Sequence, residues 1–101
     1  MKLSIKDRIH LPILFPAKSD LVTLRLVKDI VAKTEITQGE VKKVKLVPTE
    51  GGYKWDKEQD EGVEVKFTDL ELGVLKERIQ EMDKAKDIPA EMADLCIRLT
   101  E

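Results

Sequence analysis

Two side chains on which much enzymology and covalent cross-linking depend are nearly missing: the 101 residues include one cysteine and one histidine. A lone Cys96 cannot form an internal disulfide, which fits a reducing compartment. With only His10 beside it, no cluster of histidines and cysteines at zinc spacing can exist, and a thiol–imidazole nucleophile would need two separate predicted helices to meet. There is neither a P-loop nor a glycine-rich dinucleotide turn. No apolar run approaches the roughly 20 residues that cross a bilayer, and Met1 to Arg8 has neither the apolar core nor the small-residue cleavage site of a signal peptide. The formal net charge is only -2, so the whole chain has no electrostatic case for polyanions. The expectation is a cytoplasmic, non-catalytic protein with no cofactor, metal, membrane contact or small-molecule substrate.

Asp56 to Gly62 tests that expectation, because its acids alternate as in a calcium loop. The pattern fails where Glu61 stands in place of the required glycine and Phe67 in place of the bidentate acid, so the stretch reads as a solvated acidic loop. His10 reads as a surface or partly buried histidine, and Cys96, among apolar neighbours, as an inert core thiol.

What is present is a single small domain's worth of core and much charge: 42% hydrophobic and 38% charged residues. Residues 1 to 50 carry ten Lys/Arg against six Asp/Glu, and residues 51 to 101 carry eight against fourteen, giving halves of +4 and -6. The simplest reading is that the halves attract each other or are solvated separately.

The clearest local signal is Phe67-Thr68-Asp69-Leu70-Glu71-Leu72. Thr68 and Glu71 form a capping box, with Phe67 stapled to Leu72, and Leu72, Leu75, Ile79 and Met82 then fall on one helical stripe. Val63 to Phe67 alternates with period two and reads as a strand feeding that helix. Upstream, Ser4 caps a helix over Ile5 to Leu14 that kinks or tightens near Pro12 and stops at Pro16. Its buried side is Ile5, Ile9, Ile13 and Leu14. Ser19 caps a second helix, to about Lys33 or Thr34, whose apolar arc of Val22, Leu24, Leu26, Val27, Ile30 and Val31 predicts burial on more than one side. Thr37 and Glu40 box a short third helix, which passes into a strand over Val44 to Val47. Thr49 to Gly52 turns the chain back through Tyr53 and Trp55. After Pro89, Met92, Leu95, Cys96 and Leu99 make a final stripe.

These elements predict an α+β fold: about five short helices packed on one face of a small three-stranded antiparallel sheet, in the order α-α-α-β-β-β-α-α. The inward face would hold Val44, Leu46, Tyr53, Trp55, Val63, Val65 and Phe67. The outward face would present Lys43, Lys45, Lys54 and Lys66 with Val47 and Glu64. Those four lysines form the candidate interaction face, for a protein partner or for self-association through the sheet's face or edge.

Nucleic acid is the alternative partner. Three helices followed by a hairpin is the order of a winged helix, with Lys42, Lys43, Lys45 and Lys54 on the third helix and wing. A recognition helix of one or two turns is short, no arginine or asparagine is placed for bidentate base reading, and Asp56, Glu58, Asp60 and Glu61 would repel phosphate.

Leu3-Ser4-Ile5-Lys6-Asp7-Arg8, Leu14-Phe15-Pro16 and Thr23 to Ile30, with Ile36 to Glu40, Trp55 and the box at Thr68, resemble a group of short uncharacterised bacterial proteins associated with mobile or phage-derived gene sets. That resemblance implies no activity and no functional residue. Pro12 departs from the uninterrupted first helix expected in the group.

Overall fold

The helix starts are the points at which local sequence dictates structure most directly. In the computed structural model, which describes residues 1–101, helix α1 (Ile5–His10) begins at Ser4, whose hydroxyl accepts from the Asp7 amide while the Asp7 carboxylate accepts from the Ser4 amide. The same reciprocal box opens α3 (Gln38–Val44) at Thr37 and Glu40, and α4 (Asp69–Lys84) at Thr68 and Glu71. Helix α2 (Leu21–Thr34) starts one residue later than expected, with Asp20 and not Ser19 as its cap. The Asp20 carboxylate accepts from both the Thr23 amide and the Thr23 hydroxyl, and a charged acceptor at the positive helix end outcompetes a neutral hydroxyl. Of the two outcomes expected at Pro12, a kink or a tightening, the chain tightens: α1 gives way to a 3-10 turn over Leu11–Leu14, and Phe15 is extended. Helix α5 (Ala93–Thr100) follows a shorter 3-10 turn after Pro89.

The α+β class and the five helices are as expected, but the three-stranded sheet is not. The strands form two separate antiparallel pairs: β2 (Val47–Thr49) with β3 (Gly52–Lys54), and β1 (Lys2–Leu3) with β4 (Val63–Glu64). The order is therefore β-α-α-α-β-β-β-α-α. Val44 to Leu46, expected as strand, ends α3 instead: Val44 is its last residue and Lys45 takes the left-handed cap at φ 55°, its amide donating to the Val41 carbonyl. Of the run Val63 to Phe67, expected as one strand, only Val63–Glu64 is strand; it pairs with Lys2–Leu3, the Val65 amide donates to the Met1 carbonyl at 2.8 Å, and Leu3 and Val65 are both buried.

Helix α4 is central, touching α2, α5 and the first 3-10 turn. Leu75, Ile79 and Met82 supply its buried stripe, met by Leu3, Leu11, Leu14, Ile30, Val65 and the α5 residues Leu95, Cys96 and Leu99. Helix α2 is less buried than its apolar arc predicts. Ile30 is its only buried hydrophobic residue, and Leu21 and Val22 are 80% and 71% exposed, because α2 lies on α4 along one narrow stripe. In the first helical segment Ile13 is exposed and Leu11 is buried instead, since the 3-10 turn rotates the residues past His10 out of α-helical phase; Arg8, on α1 before that turn, is buried where it pairs with Glu40.

Each box carboxylate also receives a cation from a distant element. Arg98 reaches Asp7 at 2.7 Å, Arg8 grips Glu40 with two guanidinium nitrogens, and Lys33 reaches Glu71 at 2.5 Å. The Arg8 side chain is 1% exposed and that of Glu71 is 2% exposed. For Glu40 the Arg8 hydrogen bonds hold the carboxyl below its usual pKa. For Glu71 burial pushes upward, but the bonds from Lys33 and the Thr68 amide outweigh it and the net direction is again down. Lys33–Glu71 and Lys43–Glu61 also join the basic first half of the chain to the acidic second.

Three outcomes check this account by denaturant titration. Gly62, at φ +73°, would place an added Cβ 3.1 Å from the Leu3 carbonyl oxygen, whereas Gly51, at φ +85°, has open space. Gly51→Ala should therefore cost about 1 kcal/mol and Gly62→Ala about 2–3 kcal/mol. Equal losses would mean that Gly62 does not abut β1. Glu40→Ala strands the buried guanidinium of Arg8 and should cost about 3 kcal/mol, whereas Glu61→Ala on the exposed pair should leave the midpoint unchanged. With both glutamates lowered in the folded state, the unfolded chain binds more protons as pH falls. The stabilisation is complete above the ordinary glutamate value of 4.5 and is lost as pH drops through the lowered ones. A midpoint flat across that range would contradict it.

Candidate interaction surface

The four lysines expected on one outward face do not share one, because the sheet that would have carried them does not exist. Lys43 sits in the last turn of α3, its ammonium 2.9 Å from Glu61. Lys45 is the left-handed cap of that helix, and Lys54 ends β3 opposite Val47. The Asp56 amide donates to the Val44 carbonyl at 2.7 Å, so the chain leaving β3 returns to the end of α3. Lys43, Lys45 and Lys54 thus gather at the root of the hairpin. Lys66 does not join them. It follows the other sheet, where its carbonyl accepts from Lys33 at 3.2 Å.

The hairpin β2–β3 stands clear of the core, with every residue of both strands exposed. Tyr53, expected to face inward, is 54% exposed, because its strand packs against nothing. Trp55, just beyond, is half-buried, with the Lys57 ammonium 5.9 Å from its ring centre and its indole N–H buried without an acceptor.

The register Val47↔Lys54, Pro48↔Tyr53, Thr49↔Gly52 fixes which backbone groups point outward. Opposed residues in an antiparallel ladder alternate between pairs that exchange hydrogen bonds and pairs that do not. Proline has no N–H to exchange, so Pro48↔Tyr53 is a non-bonded pair, and the N–H and C=O of Tyr53 point away from β2. No other strand and no side chain takes them up. The two edges are therefore unequal: Pro48 removes the outward donor from β2, which is how natural sheets block added strands, and β3 is open.

The remaining surface is of mixed character. A depression of about 340 Å³ between the start of α2 and α4 sets Lys18 and Arg78 beside Asp20, Glu77 and Glu81. A shallower groove of about 540 Å³ runs between Phe15 and Val31. His10 and Cys96 line none of the five main depressions. No group of three or more His, Cys, Asp or Glu is placed to hold a metal ion, and no helix is long and apolar enough to cross a membrane. Comparison with protein-family models, with curated proteins and with solved structures finds no match.

Sequence reasoning expected an exposed strand edge without placing it on β3, and missed the buried pair of Arg8 with Glu40. The placement was recoverable, since a two-residue turn at Glu50-Gly51 sets Pro48 opposite Tyr53. The buried pair carried no local signal. Cys96 is buried on α5, and burial pushes its thiol pKa up. A water-soluble thiol reagent should accordingly label the native protein only as fast as it unfolds, and labelling at the rate of a free thiol would contradict its placement.

Proposed function

We propose that this chain is a non-catalytic interaction protein, an accessory module of the cytoplasm that acts by offering the β3 edge of its hairpin to a protein strand. The observation that carries this reading is the asymmetry of the hairpin: both strands are exposed, one edge is blocked by Pro48, and the other offers the unpaired backbone of Tyr53. A two-stranded hairpin with neither face buried is marginally stable by itself, and an added strand supplies main-chain hydrogen bonds while flanking side chains supply selectivity. The exposed ring of Tyr53 is the natural anchor beside that edge.

A second reading is a winged-helix-like DNA-binding regulator. It is favoured by one feature, the three residues joining α2 to α3 followed directly by a hairpin with Lys43, Lys45 and Lys54 at its root. Lys43 is already paired with Glu61, which weakens it.

One comparison separates them. Extended peptides selected on the immobilised protein should lose binding to Tyr53→Pro, which removes the outward N–H without touching the internal ladder, and keep it on Lys66→Glu. Peptides that bind Tyr53→Pro equally well would sink the edge reading. Duplex DNA binding at low salt, weakening steeply as salt rises and lost when Lys43, Lys45 and Lys54 are replaced together, would put the regulator in its place.

A further inference from the structure

We infer that the strand accepted by the β3 edge is β3 of a second copy of this chain, giving a closed dimer with a four-stranded sheet β2-β3-β3-β2. The inference rests on the interaction reading above and adds the partner's identity.

Four observations converge on it. Each chain has one open hairpin edge and one blocked by Pro48, so pairing edge to edge uses up both open sides and stops at two copies. A hairpin open on both sides would propagate into a fibre instead. Antiparallel pairing about a two-fold axis at Tyr53 sets Tyr53 against Tyr53, where each N–H donates to the other copy's C=O, and these are the two groups left unpaired in the single chain. The same register sets Lys54 against Gly52 of the second copy, so no like charges face each other. It also brings Lys54 within reach of Glu50 at the second copy's turn. Neither Lys54 nor Glu50 has an ion-pair partner within its own chain, and the axis supplies the contact twice. The two tyrosine rings, each 54% exposed in the single chain, come side by side on one face as a cross-strand aromatic pair. The surface is small, so the dimer is concentration-dependent and exchanges with monomer.

Sedimentation velocity over a roughly hundredfold range of protein concentration tests this. The expected result is a monomer–dimer equilibrium with no larger species, and loss of the dimer in Tyr53→Pro with a thermal midpoint equal to that of the unsubstituted protein at concentrations where both are monomeric. Lys54→Glu and Glu50→Lys should each raise the dissociation constant about fivefold, and the double variant should restore it, a rescue that a foreign partner strand would not give. A dimer unaffected by Tyr53→Pro, or one that the charge exchange fails to restore, overturns the inference. A strictly monomeric protein whose selected peptides still require Tyr53 overturns the self-pairing and leaves the interaction reading standing. A monomer that also binds no strand removes both.

Discussion

Three carboxylates hold this fold in register, each acting at two levels of structure at once. Asp7, Glu40 and Glu71 close the capping boxes of α1, α3 and α4, and each is then gripped by a cation from another part of the chain, Arg98, Arg8 and Lys33 respectively. A capping box by itself is a local device that starts a helix and says nothing about where it goes. Once the same carboxylate binds a remote arginine or lysine, the helix start is pinned in space. Arg8 joins α1 to α3, Lys33 joins the end of α2 to the start of α4, and Arg98 joins α5 back to α1. The apolar core is drawn from the first 3-10 turn, α2, α4, α5 and the residues of the β1–β4 pair and its edge.

The two sheets stand in opposite relation to that framework. The pair β1–β4 is only two residues long on each side, yet it lies against the core with Leu3 and Val65 buried, so packing compensates for its brevity. The hairpin β2–β3 has three residues on each strand and buries none of them. It is anchored only at its root, through the left-handed turn at Lys45 and the bond from Asp56 to Val44. Its conformation comes from the turn and ladder alone, and its backbone is the part of the molecule most free to pair with something else.

How much of this could be read from the chain depends on how local the cause is. The helix starts at Ser4, Thr37 and Thr68 were legible because a box involves residues three apart, and the stripes of α4 and α5 because helical spacing is local too. The hairpin turn was legible for the same reason. The partner of Val63–Glu64 was not. Alternation shows that a strand is there but not which of two candidate neighbours it chooses, and Lys2–Leu3 is too short to carry a pattern of its own. Val44-Lys45-Leu46-Val47 failed differently, since β-branched alternation fits the frayed end of a helix as well as the start of a strand, and a left-handed lysine decided between them. The expected lysine face depended on both mistakes. Three of its members survive as a cluster because the root of the hairpin keeps them near in sequence, and Lys66 left with the strand it follows.

The adjacency of Leu3 and Leu99 in one cluster governs the order in which the molecule can be assembled. Helices α1 to α3 and the hairpin are built from neighbours in sequence and can form as the chain emerges from a ribosome, but the interior has no inner wall until α4 arrives and no closure until α5 does. Contacts spanning nearly the whole chain carry the largest loop-closure entropy and are made last. During synthesis Leu3, Leu11 and Leu14 therefore stay exposed to solvent until α4 and α5 have been made, a window in which shielding by a chaperone matters more to this domain than to one whose core is closed from within a single segment.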